Sequence, residues 1–143
     1  MEVGGVEPFS LINPPYSIVN DIVTRHTHFI TLLARAQPNI EITNVRKEKL
    51  GQNITRITVN VINTGAMASH SKLGEKSYWV KRINVKLTPD NKQTVLSGKK
   101  IQVLNSLDGL SSKEVSWLVR GTGKIELEAG SPTTGIKKIE ITL

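Results

Sequence analysis

The residues whose chemistry depends on spacing are three histidines, two glutamates set two apart and two short glycine pairs. His26 and His28 fall in a helical stretch, where two residues turn through about 200° and so point to opposite sides. A helical metal pair needs a spacing of three or four, and neither histidine has a carboxylate or imidazole partner to hold an ion with. His70 stands alone in a polar stretch. Glu126 and Glu128 share one face of an alternating run; paired carboxylates can act on a glycoside, but a solvated strand face is the commoner use of such a pair. Asp90 and Asp108 are isolated. No Gly-x-Ser-x-Gly elbow is present for Ser-His-Asp catalysis. Gly4-Gly5 and Gly121-Thr122-Gly123 are too sparse to cradle a phosphate and lack the strand–loop–helix setting. Asn53-Ile54-Thr55 matches the glycosylation tripeptide, a pattern that arises easily by chance. With no cysteine in the chain, thiol nucleophiles, disulfides and cysteine-ligated zinc are excluded. No catalytic, cofactor-binding or metal-ligating set is therefore assigned within the chain.

The elements that would position these residues fall into two parts. The segment through Asn13-Pro14-Pro15 is rich in glycine and proline and reads as loop, with Asn13 placed to cap a helix. From Ser17 the period is helical: Ile18, Ile22, Phe29, Leu33 and Ala36 form one stripe, and Gln37-Pro38-Asn39 stops it. Val19, Val23 and Ile30 lie off that stripe. They either form a second contact face or leave modest apolar area exposed.

After Pro38 the period becomes two. Strands are expected at Glu41–Leu50, around Ile57, Val59 and Val61, and at Trp79–Leu87. Further runs follow at Gln93–Leu96 and Ile101–Leu107, around Val115, Trp117 and Val119, at Lys124–Ala129, and around Ile139, Ile141 and Leu143. Gly121-Thr122-Gly123 reads as the turn of a hairpin between two of them. Trp79 and Trp117 are both in phase with apolar positions and are expected in the core. Thr64–Ser77 is the one long connection, suited either to carry function or to cap one end. The fold class is mainly β: a seven-stranded antiparallel sandwich, immunoglobulin-like or fibronectin type III-like, preceded by one N-terminal α-helix. Residues 1–38 form a leader and linking helix, and residues 39–143 the sandwich domain.

Composition is that of a globular chain, with 38% apolar and 22% charged residues. There is no apolar run of about 18 residues, so no membrane span is expected. Met1-Glu2-Val3-Gly4-Gly5 shows no signal peptide. The net charge of +7 is uneven: residues 38–143 carry 17 basic and nine acidic side chains. Such a surface could favour nucleic acid, an anionic cell-wall polymer or an acidic lipid, although lysines also keep sheet edges from sticking. With six aromatics and no basic–aromatic interleaving seen, nucleic acid is not expected as a partner.

Two stretches resemble a known family. Glu2-Val3-Gly4-Gly5-Val6-Glu7-Pro8-Phe9, with Asn13-Pro14-Pro15, resembles the end of the catalytic domain in bacterial zinc metallocarboxypeptidases of the carboxypeptidase A-like superfamily. Gly109–Gly121 resembles a strand of the sandwich that follows that domain, and Asn63-Thr64-Gly65 and Ser131-Pro132 are also similar. The resemblance implies that Glu2 matches the general-base glutamate of the parent enzyme. It also implies that zinc belongs to the parent's catalytic domain, because no His-x-x-Glu occurs in this chain. The fragment itself would be non-catalytic and hold no cofactor.

The expected function is thus a C-terminal accessory domain that stabilises or positions the catalytic domain of a secreted or periplasmic zinc carboxypeptidase. Its partner would be that catalytic domain, and its state a monomer. The alternative is a basic module that binds cell-wall or another anionic polymer, or a protein partner.

Overall fold

The computed structural model describes residues 4–5 and 14–143. The expected roles of Asn13 as helix cap and Glu2 as catalytic glutamate lie outside them. The chain divides into two units, Met1–Arg35 and Ala36–Leu143.

Among its described residues the first unit contains one helix, α1 (Tyr16–Arg35). Pro38 bars its continuation, and Arg35 in the last turn suits the negative end of the helix dipole. None of the helical residues is buried; Ile18, Phe29 and Leu33 of the expected stripe are exposed, as are Val23, Ile30 and Leu32.

The second unit is an antiparallel β-sandwich of eight strands, not seven. These are β1 (Ile40–Gly51), β2 (Ile54–Asn63), β3 (Ile83–Thr88), β4 (Thr94–Ser97), β5 (Ile101–Leu104), β6 (Ser112–Arg120), β7 (Lys124–Ser131) and β8 (Gly135–Thr142). One sheet has the order β1-β2-β6-β4 and the other β5-β3-β7-β8. With the four-residue β5 set aside, these are the two sheet orders of a seven-strand immunoglobulin-type sandwich.

The alternation read from the sequence decides which side chains meet. Ile57, Val59 and Val61 of β2 and Val115, Trp117 and Val119 of β6 face Ile83, Val85 and Leu87 of β3 and Ile125, Leu127 and Ala129 of β7 in a single core. Burying each large aliphatic or aromatic side chain is worth about 1.5–3 kcal/mol. Trp117 is 1% exposed, and its indole N–H, which would otherwise be stranded, donates to the Lys99 carbonyl at 2.8 Å. That bond fixes the short link by which the chain leaves β4 in one sheet and becomes β5 in the other.

The expected hairpin at Gly121-Thr122-Gly123 is instead a crossing between sheets, because β6 pairs with β2 and β4 whereas β7 pairs with β3 and β8. Alternation marks both runs as half-buried strands but is silent about which sheet each joins. Gly121 takes φ 130°, and a Cβ there would lie 2.6 Å from the Lys92 carbonyl oxygen. The buried Gln93 spans the crossing, its amide donating to the carbonyls of Thr122 and Lys124, both at 3.1 Å. The hairpins are β1–β2, turned by Gly51–Ile54, and β7–β8, turned by Ser131–Gly135.

Candidate functional site in the loop between β2 and β3

His26 and His28 are exposed on α1, and His70 is half-buried within the loop between β2 and β3. Among the described residues no three histidine, aspartate or glutamate side chains are grouped to hold a metal ion. Glu126 and Glu128 do share the outer face of β7, and both carboxylates engage one cation: Lys138 Nζ lies 3.2 Å from Glu126 Oε1 and 3.0 Å from Glu128 Oε2. The hydrogen bonds to Glu128 and then Glu126 hold the Lys138 ammonium above its ordinary pKa. Both carboxylates are thus tied to one lysine on the outer face of the sheet. Lys124 and Glu140 form a neighbouring pair at 2.8 Å; their hydrogen bond raises the lysine pKa and lowers the glutamate's. On the other sheet, the shallow depression lined by Arg46, Glu48, Arg56 and Glu114 is taken up by ion pairs, Arg46 with Glu114 and Arg56 with Glu48. Asn53, of the glycosylation tripeptide, sits at the β1–β2 turn with φ 57°.

The remaining candidate is the connection from Thr64 to Arg82, which runs further than the expected Thr64–Ser77. Its base is held rigidly by Asn63, whose side chain is fully buried. Asn63 Oδ1 accepts from the backbone N–H groups of Asn39 and Gly65, both at 3.1 Å. Its Nδ2 donates to the carbonyls of Met67 at 2.8 Å, Asp108 at 3.1 Å and Leu107 at 3.3 Å. One amide thus ties together three backbone segments that have no ladder partner of their own, which satisfies groups that would be costly to bury unpaired. The packing is close enough that a Cβ on Gly65 would lie 2.0 Å from the Gln37 carbonyl oxygen. Ser69 continues the anchoring: its N–H donates to Leu107 O at 2.9 Å, and its hydroxyl accepts from Leu107 N at 3.0 Å.

Beyond His70 the loop's hydrogen bonds are made among its own residues. Ser71 Oγ accepts from Gly74 N at 3.1 Å, and a 3₁₀ turn follows over Gly74–Lys76. Ser77 Oγ accepts from Trp79 N at 3.3 Å. The two limbs meet where a Cβ on Gly74 would lie 3.0 Å from Val80 Cγ2. The neighbours of that pair, Leu73 and Trp79, are therefore at the same end of the loop. They are 80% and 91% exposed, and Tyr78 is 100% exposed.

This overturns the expectation that Trp79 is a core residue. Strand β3 begins only at Ile83, so the odd-position phase that joins Trp79 to Ile83, Val85 and Leu87 has no extended backbone beneath it. The sequence Lys76-Ser77-Tyr78-Trp79-Val80-Lys81-Arg82 sets the two exposed rings between cations. With Lys72 added, four cations flank the exposed rings, against the single carboxylate of Glu75. The signal that could have found the site is this local composition. Reading the tryptophan as core hid it.

Comparison with known proteins adds a family and a set of distant folds. Residues 39–142 match the family model described as "Domain of unknown function (DUF8731)". No curated protein matches the chain. Among solved structures, a β-glucosidase from Streptomyces venezuelae, DesR, in complex with D-glucose is similar at 15% identity and TM-score 0.35, over 74% of this chain and 15% of that one. A GH3 β-glucosidase from Bifidobacterium adolescentis is similar at 17% identity and TM-score 0.35, over 74% of this chain and 17% of its own. β-Glucosidase 3B from Thermotoga neapolitana in complex with α-D-glucose gives 13% identity and TM-score 0.32, over 74% and 17% of the two chains. The chain thus spans less than a fifth of each of these proteins.

Proposed function

The chain belongs to the DUF8731 family, and we propose that it is a non-catalytic accessory module that holds the rest of its protein against an anionic surface. The observation that carries the reading is the outward presentation of Tyr78 and Trp79 among Lys72, Lys76, Lys81 and Arg82 on a loop whose base is fixed by Asn63. Exposed aromatics cost solvation without stabilising the fold, and their clustering with cations marks an interaction surface. A rigid scaffold that projects one loop is a common way to place such a surface.

The test is retention on anionic and neutral surfaces at two salt concentrations. Retention on the anionic surface should fall as salt rises and should fall again in Trp79→Ala. Absence of retention at low salt removes the reading.

The parent would be a zinc metallocarboxypeptidase, its catalytic domain a further partner and the assembled protein secreted or periplasmic. What supports this is the resemblance of Glu2–Pro15 and Gly109–Gly121 to that family. The exposed apolar residues of α1, such as Phe29 and Ile30, are compatible with a contact to a neighbouring domain. The open reading frame upstream of Glu2 should then encode His-x-x-Glu, and an upstream sequence without it would sink the assignment. The chain alone, supplied with zinc, should release no C-terminal residues from peptides.

A further inference from the structure

We infer that the anionic surface engaged by the 71–82 loop is a phospholipid bilayer, with Leu73, Tyr78 and Trp79 entering the headgroup region and the flanking cations meeting anionic headgroups. This rests on the binding-module reading above and names the partner of the same site.

Leu73 is what selects the partner. An aliphatic side chain offers no face on which a sugar or base can stack and no charge to a polyanion. At a bilayer it gains by burial of its hydrocarbon, as surface leucines of membrane-binding segments do. Tyrosine and tryptophan are the side chains favoured at the membrane–water boundary, since each joins an apolar ring to a polar atom. Gly74 packs against Val80, so the backbone at Leu73 runs beside that at Trp79, and Leu73, Tyr78 and Trp79 are each at least 80% exposed.

The charges complete the argument. Lys72 and Lys76 bracket Leu73 closely, and Lys81 and Arg82 follow Trp79 by two and three residues. Lysine and arginine near an anionic leaflet each add attraction that decays within a Debye length. A polyanion binder would need the cations but not the leucine, whereas a bilayer uses both.

The experiment is co-sedimentation of the whole chain with phosphatidylcholine vesicles with and without phosphatidylglycerol, beside isolated wall polymer and a single-stranded oligonucleotide. Expected is binding to the phosphatidylglycerol vesicles only, weakened roughly tenfold by Leu73→Ser and roughly thirtyfold in Lys76→Gln/Lys81→Gln. Tryptophan emission of Trp117→Phe, which retains Trp79 alone, should shift to the blue on those vesicles. Leu73, Lys76 and Lys81 are exposed in a loop, so circular dichroism of these variants should match the parent chain. Vesicle binding indifferent to Leu73→Ser overturns the assignment. Retention on wall polymer or oligonucleotide, lost in Lys76→Gln/Lys81→Gln but kept in Leu73→Ser, overturns the lipid partner and leaves the binding-module reading intact. No retention on any surface overturns both.

Discussion

The two tryptophans of this chain sit in sequence contexts that look alike and in environments that are opposite. Trp117 lies within β6, 1% exposed, with its indole N–H bonded to a carbonyl of the neighbouring crossing. Trp79 lies on a loop, 91% exposed, with no strand beneath it. The sandwich uses its aromatic ring for cohesion, and the loop presents one outward. Identity and phase of a residue predict burial only where the backbone is extended and another sheet covers it.

The sharpest way to break this comparison is to truncate both rings. Trp117→Ala leaves a cavity between two sheets and strands the Lys99 carbonyl, so it should cost about 3–5 kcal/mol in urea unfolding. Trp79→Ala should stay within about 0.5 kcal/mol of the parent chain. Equal losses would mean that the loop packs on the core in solution. Acrylamide quenching makes the same test without touching stability, because emission should resolve into an accessible and a protected component, with Trp79→Phe leaving the protected one.

The boundary between the two regions is Asn63, and its replacement is the next largest effect. Asn63→Leu leaves two backbone N–H groups and three carbonyls without their side-chain partner. A loss of about 2–4 kcal/mol is expected, with amide exchange accelerating first at Asn39, Gly65 and Met67. A loss confined to the loop, with core amides as protected as before, would show that the anchor serves the loop alone.

What was legible in the sequence follows the same division. Period-two alternation located the apolar residues of β2, β3, β6 and β7 correctly, because a strand with one buried face must alternate. It did not reveal sheet membership, so the link at Gly121–Gly123 looked like a hairpin: strand pairing is a long-range choice made by core packing and by Gln93 across the gap. The apolar run Ile101–Leu107 looks continuous in sequence, yet β5 stops at Leu104, while Leu107 is buried from a loop. Asn63 was visible only as part of a turn, since five hydrogen bonds from one amide depend on segments distant in sequence. The candidate site was missed because Trp79 kept the phase of a strand that begins four residues later.

The smallest effects concern charge, and they too separate the regions. On the sandwich, Lys124 and Lys138 are held above, and Glu140 below, their ordinary pKa values by the pairs they form. A carboxylate with a lowered folded pKa contributes stability above its unfolded value near ~4.3, and loses it as pH falls through the folded value. A lysine with a raised folded pKa contributes fully below its unfolded value near ~10.4, and loses it as pH rises through the folded one. The urea midpoint should therefore show small declines at the acidic and alkaline extremes, and the double variant Lys124→Met/Lys138→Met should flatten the parts due to these pairs. All three groups are fully exposed, so the change at neutral pH should be slight and should shrink further in salt. The cations of the loop should behave in the opposite way, with Lys76→Gln/Lys81→Gln leaving the midpoint alone while weakening surface binding. A neutral-pH midpoint drop in Lys124→Met/Lys138→Met as large as that of Asn63→Leu would place the sandwich's stability in its surface charges and remove the contrast with the loop.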